Sequence, residues 1–142
     1  MKKMLSSLVA MLLSVSLLTA CGAAGSNAPG GGEADSVKVG VLAPLTGANA
    51  EFGKAFEVAM TMAMEEVNAA GGINGKTLEL VFQDSKGDAK ESSDLCRQYV
   101  DNEDIVAVLG DFTSTACMAD APIVKEAEMA ILSPTASNPA FT

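Results

Sequence analysis

Four segments of this chain carry side chains suited to holding a small molecule. They are Ala43 to Glu51, Asp84 to Gly87, Gly110 to Thr115 and Ser133 to Asn138. They are rich in Ser, Thr, Gly and Asn and poor in catalytic pairs. Gly110-Asp111-Phe112-Thr113-Ser114-Thr115 joins an apolar run to the start of a helical pattern. Free backbone N–H groups and the positive end of a helix dipole would face a ligand there, and the Ser114 hydroxyl adds a donor. That suits a carboxylate. The other reading is that Ser114, or a neighbouring threonine, caps its own helix. Ser133-Pro134-Thr135-Ala136-Ser137-Asn138-Pro139 combines two prolines with three hydroxyls, which gives either a stiff polar edge to a site or an ordinary turn cluster.

Other chemistry has weaker support. Asp84 and Asp111 each follow an apolar run, as acid–base or metal-binding carboxylates do, but no lysine follows a later run to complete a phosphorelay site. Cys117 lies near a helix start with no base beside it in sequence. The chain has no histidine, which removes Ser-His-Asp and Cys-His mechanisms and most zinc sites from this segment. G-x-G-x-x-G and the P-loop pattern are absent, as is C-x-x-C, so no cofactor and no metal are expected.

The elements that position these loops are legible in the spacing of apolar residues. Val37, Val39, Val41 and Leu42 form a run suited to a strand buried on both faces. Phe52, Phe56, Ala59, Ala63, Val67 and Ala70 recur at helical spacing, with Met60 and Met64 widening the stripe. Gly71-Gly72 stops that helix and Asn74-Gly75 makes a turn. Thr77 to Phe82 is a second strand. Asp88 and Glu91 form the capping box of a second helix, with Leu95, Cys96, Tyr99 and Val100 on its buried face. Ile105 to Leu109 is a third strand. Met118, Ala121, Val124 and Ala127 mark a third helix, which Pro122 should bend or divide. Ala130 to Leu132 is a fourth strand. Strands alternating with helices predict an α/β fold, an open parallel Rossmann-like sheet with helices on both faces. In such sheets ligands bind beyond the carboxyl ends of the strands, where the four polar segments fall.

The N-terminus reads as an address. Lys2 and Lys3 precede an apolar run, Met4 to Leu18, and Leu18-Thr19-Ala20-Cys21 resembles the lipobox of a bacterial lipoprotein. The run is short for a helix across a ~30 Å hydrocarbon core. Residues 1–20 are therefore expected to be a signal peptide, Cys21 the lipidated first residue, and 21–36 a glycine-rich tether to a folded part spanning 37–142. The net charge is −9, and losing the two lysines leaves seven basic residues against eighteen acidic ones. So acidic a surface disfavours nucleic acid, and membrane contact should rest on the lipid. An oxidising exterior permits a Cys96–Cys117 disulfide; the other reading is two buried thiols.

Val37-Lys38-Val39-Gly40-Val41-Leu42-Ala43-Pro44-Leu45-Thr46-Gly47 resembles the opening of the periplasmic leucine/isoleucine/valine-binding protein family. So do Val67 to Lys76, Val108-Leu109-Gly110 with Thr113-Ser114, and Ile131 to Pro139, in order. The resemblance implies a two-lobed receptor that closes on a small solute and delivers it to the permease of an ATP-driven importer, performing no chemistry itself. A sensor passing closure to a membrane kinase or chemoreceptor is the alternative. This chain resembles the first segment of lobe one, so the lobe is expected to be incomplete. By resemblance, Ser114 grips the α-carboxylate of an amino acid, Ser137 adds a hydroxyl, the Thr135 carbonyl meets the ammonium group, and Phe52 covers the side chain. The solute would be an amino acid of branched-chain type or a related amide. A bridge found in some members, between the loops after strands two and three, is missing, since Gly87 and Thr113 stand there.

Overall fold

The computed structural model describes residues 35–141. The leader, Cys21 and the tether as far as Ala34 lie outside the described residues. Strand β1 (Ser36–Ala43) is followed by α1 (Ala50–Ala69), β2 (Thr77–Asp84), α2 (Ala89–Val100), β3 (Ile105–Leu109), α3 (Ser114–Glu126), β4 (Ala130–Leu132) and a 3-10 turn at Pro139–Phe141. The four strands pair in parallel in the order β2-β1-β3-β4. The β1–α1–β2 connection steps one way along the sheet, and the next two connections step the other way. Right-handed crossovers therefore set α1 on one face and α2 and α3 on the other.

The α2/α3 face carries the core. Leu42, Ile105 and Val108 of the sheet meet Cys96 and Tyr99 of α2 and Val124 of α3, all buried. Tyr99 anchors this layer. A side chain at Gly40 would stand 2.6 Å from its ring, so only glycine lets the ring lie on β1. The Tyr99 hydroxyl reaches two strands, donating toward Val81 O at 2.6 Å and Val41 O at 3.1 Å. Burial of an aromatic side chain of this size stabilises by about 3 kcal/mol. It also pushes the phenol pKa up, with desolvation the main cause.

Helix α1 sits differently from the expectation. Its only fully buried residue is Gly53. The partly buried positions are Ala50, Phe56, Met60, Thr61, Met64 and Asn68, while Ala59, Ala63, Val67 and Ala70 face solvent. The buried stripe is thus turned by about one residue. Two contacts turn it. A side chain at Gly53 would lie 2.1 Å from Pro44 O, so the helix closes on β1 through that glycine. At the other end Asn68 serves the outer edge of β2: its amide donates to Leu78 O at 2.9 Å, and its oxygen accepts the Leu78 N–H at 2.7 Å. An edge strand has such groups to satisfy.

Two further expectations change. Helix α3 runs without division from Ser114 to Glu126 through Pro122. Cys96 and Cys117 are both buried free thiols, so the disulfide permitted by sequence is not formed. Their surroundings explain this. Cys96 packs into the core cluster, whereas the Cys117 thiol donates to Asp111 O at 3.1 Å. Burial pushes the Cys96 thiol up to about 12 and raises that of Cys117, so neither is an activated nucleophile.

Candidate functional site

The strand ends are tied together by side chains, and Asp111 is the knot. It is fully buried. The Ser85 hydroxyl, after β2, donates to its Oδ2. The Thr113 N–H donates to Oδ1 at 3.0 Å. Its own carbonyl accepts the Ser133 hydroxyl at 3.1 Å, from the end of β4. One residue thus links the loops after three strands. Ser133 continues the chain of contacts, its hydroxyl oxygen accepting the Ala136 N–H at 3.0 Å, which folds 133–136 back on itself.

Ser114 occupies the first turn of α3 but does not cap it. Thr113 is the N-cap, its hydroxyl accepting the Ala116 N–H at 3.2 Å. The Ser114 oxygen instead accepts two backbone donors from the β4 loop, Ser137 N–H at 3.2 Å and Asn138 N–H at 3.3 Å. Both lone pairs are then used, which leaves the hydroxyl proton as the function still to be given. The N–H groups of Ser114 and Thr115 belong to the first turn, which has no intrahelical acceptors. Thr135 is fixed by its hydroxyl, which donates to Phe112 O at 2.7 Å. Ser137 is exposed.

Phe52, at the start of α1, stacks on Phe112 with ring centroids 4.9 Å apart, and Phe56 tilts against the same ring at 5.7 Å. Phe52 remains 48% exposed. This aromatic group bridges the crevice where strand order reverses, between the carboxyl ends of β1 and β3. The structure therefore brings Ser114, Thr135 and Ser137 into one hydrogen-bonded cluster and sets Phe52 against its flank through Phe112. Phe112, Ser133 and Ser85 lie in the polar segments read from the sequence but were given no role of their own there. The available signal was their position beside Asp111 and after β2, β3 and β4.

Asp84, at the end of β2, is occupied with the β1 loop. Burial works to raise its pKa. Hydrogen bonds from the Thr46 hydroxyl at 2.5 Å and the N–H groups of Lys86, Thr46 and Leu45 outweigh it and hold the carboxyl below its usual range. Both strand-end aspartates thus spend their oxygens on the chain's own donors. Among the described residues, no group of three or more His, Cys, Asp or Glu is placed to hold a metal ion.

A family profile described as periplasmic binding protein matches residues 36–142. The chain belongs to the periplasmic binding protein family. An amino acid binding protein of Pseudomonas aeruginosa is 36% identical over 106 residues, covering 75% of this chain and 28% of that protein. Leu/Ile/Val-binding protein homolog 2 of Brucella abortus is 34% identical over 115 residues, covering 81% and 31%. Among solved structures, a putative branched-chain amino acid ABC transporter protein from Rhodospirillum rubrum superposes with a TM-score of 0.73 at 40% identity, over 75% of this chain and 31% of that one. The branched-chain amino acid substrate-binding protein of Streptococcus pneumoniae, in complex with isoleucine, gives 0.71 at 31% identity over 75% and 30%. The chain spans about three-tenths of the length of these relatives. The family is that of two-lobed extracytoplasmic binding proteins, and the open parallel sheet with helices on both faces is the fold expected from the sequence.

Proposed function

We propose that this chain is the N-terminal part of the first lobe of an ABC-importer solute-binding lipoprotein. It takes an amino acid of branched-chain type, or a related amide, and is anchored through Cys21 at the outer face of a bacterial cytoplasmic membrane. Relatives named for leucine, isoleucine and valine support the solute class. The observation that carries the reading is the state of Ser114. Its oxygen is saturated by the Ser137 and Asn138 N–H groups, so its proton and the first-turn N–H groups of α3 remain for a carboxylate. The Thr135 carbonyl and the Ser137 hydroxyl stand on the same loop for the ammonium end, and the Phe52–Phe112 stack gives an apolar wall for the side chain. Binding energy goes into closure of two lobes, and the closed form is what a permease receives.

The test is Ser114→Ala in the full-length receptor, titrated with leucine, isoleucine and valine by calorimetry. Loss of one charge-assisted hydrogen bond should weaken binding about tenfold or more. Unchanged affinity would remove Ser114 from the site. A thermal-shift screen of amino acids and amides identifies the solute, since a ligand of the native state raises the melting temperature.

A further inference from the structure

The proposed carboxylate seat has an unexpected neighbour: a buried negative charge. All the side-chain contacts of Asp111 run one way. The Ser85 hydroxyl donates to it while accepting the Gly87 N–H at 3.3 Å, and the Thr113 N–H and hydroxyl both point their donors at Oδ1. Both oxygens thus serve as acceptors, the role of a carboxylate. It lies two residues ahead of the helix cap and takes a donor from the N-cap residue, so it already draws on the electropositive end of α3. The loops after β3 and β4 bring it no cation. Gly110–Thr115 and Ser133–Phe141 contain neither lysine nor arginine. Lys86, after β2, is paired with Glu91 at 2.9 Å.

We infer that Asp111 sets the charge preference of this site: its buried carboxylate admits solutes that bring a cation with their carboxylate and turns away plain carboxylic acids. The inference rests on the reading of Ser114 as the carboxylate seat and adds a selectivity to it. A lone anion at Ser114 meets the hydroxyl proton and the helix N–H groups but also the field of Asp111. An amino acid meets the same repulsion at its carboxylate and recovers it at its ammonium group. Three residues of chain separate Asp111 from Ser114 and span at most ~10 Å. At an effective dielectric between ~20 and ~80, one unit charge at that distance changes affinity by about twofold to about fifteenfold. Asp111 is a positioning and selectivity residue, since it is closed to solvent and does not touch the solute.

Asp111→Asn isolates the charge. Asparagine keeps the shape, its oxygen accepts the Thr113 N–H, and its amide donates to the Ser85 oxygen. The full-length receptor and this variant are titrated with leucine and with 4-methylpentanoate, which is leucine without its amino group. In the variant, 4-methylpentanoate should bind about threefold or more tighter, while leucine, whose ammonium group offsets the repulsion at its carboxylate, should change little. The preference of the receptor for leucine then falls about threefold or more. A purely structural role would move both affinities the same way. Parallel changes, or an unchanged ratio, overturn the inference while leaving the amino-acid site standing. A variant that fails to fold also overturns it, because the charge would then be acting on the fold. A wild-type receptor that binds leucine, or another amino acid of the screen, more tightly than 4-methylpentanoate supports it; one that binds 4-methylpentanoate as tightly overturns it, and one that binds none of the screened amino acids and amides overturns the proposed function and the inference together.

Discussion

Asp111, just before α3, and Asp120, nine residues on and within it, are both fully closed to solvent, yet their surroundings treat them differently. Asp111 sits where backbone ends. It receives a hydroxyl from the β2 loop and a main-chain N–H whose position the helix cap fixes. Asp120 sits mid-helix between α2 and α3, where every backbone N–H is already committed. It receives only hydroxyls: Ser92 at 2.8 Å and, more weakly, Ser93 at 3.4 Å. Desolvation then wins. Asp120 is pushed up to about 6, with burial the main cause, the Ser92 bond opposing it and the Asp111 charge adding to it. The lesson is that depth alone does not set the behaviour of a buried acid. The supply of donors does, and loops at strand ends supply more than helix interiors.

The comparison breaks most visibly on truncation. Asp111→Ala strands the Ser85 hydroxyl and the Thr113 N–H in a closed space. At about 1–3 kcal/mol for each buried unsatisfied donor, the loss should be about 4 kcal/mol. Asp120→Ala strands only serine hydroxyls on a helix, which can turn to the carbonyl four residues back. It also removes a charge that burial disfavours, so its cost should be about 1 kcal/mol or less. Denaturant unfolding of the two variants measures both. Equal losses would mean that the two carboxylates are held alike.

The pH dependence is the next largest effect, and it has an unusual sign for a carboxylate. Asp120 is raised from the ordinary 3.8 to about 6. Between those values the native state binds more protons than the unfolded chain, so stability falls as pH rises through that window and stays low above it. The shift corresponds to roughly 2–3 kcal/mol. The charge of Asp111 also acts on Asp120, and the thiols of Cys96 and Cys117 beside it are both raised by burial and neutral throughout the range. Asp120→Asn should therefore flatten the fall between pH 4 and pH 6 and raise the unfolding midpoint at pH 7, with little change at pH 4. A variant with the wild-type slope would assign the dependence elsewhere.

What was legible in the sequence divides along the same line. Elements set by local pattern were readable: the apolar runs of β1 to β4, the Asp88 cap whose oxygen accepts the Glu91 N–H at 2.9 Å, and the hydroxyl-rich loops after β3 and β4. Ser114, Thr135 and Ser137 were readable as a group because they follow strands of one sheet, although nothing local shows that Thr113 takes the capping role and turns Ser114 toward residues 137 and 138. Contacts made across the fold left no such trace. The stripe of α1 was misplaced because Gly53 and Asn68, neither apolar, decide how the helix lies. Phe112 joined the site only when β1 and β3 became neighbours. A proline that reads as a break is carried within α3. The two cysteines, separated by twenty residues of sequence, turned out to serve different neighbours.

The smallest effect distinguishes the two carboxylates most finely. Ser92→Ala removes the better of the two Asp120 donors, and Ser85→Ala removes the hydroxyl donor of Asp111. Asp120 has a way out. Its raised pKa means that protonation at pH 7 costs only about 1.4 kcal/mol, one unit of pH, so the loss from Ser92→Ala cannot much exceed that. Near pH 5 the carboxyl is already protonated, needs the donor less, and the loss should shrink toward zero. Asp111 keeps a main-chain donor when Ser85 is truncated, since the Thr113 N–H and hydroxyl still point at Oδ1. The cost of Ser85→Ala should therefore be about the same at pH 5 and pH 7. Thermal unfolding of both variants at the two pH values separates the cases: a loss that fades on acidification marks the acid held by hydroxyls alone, and a loss that persists marks the acid held by the main chain.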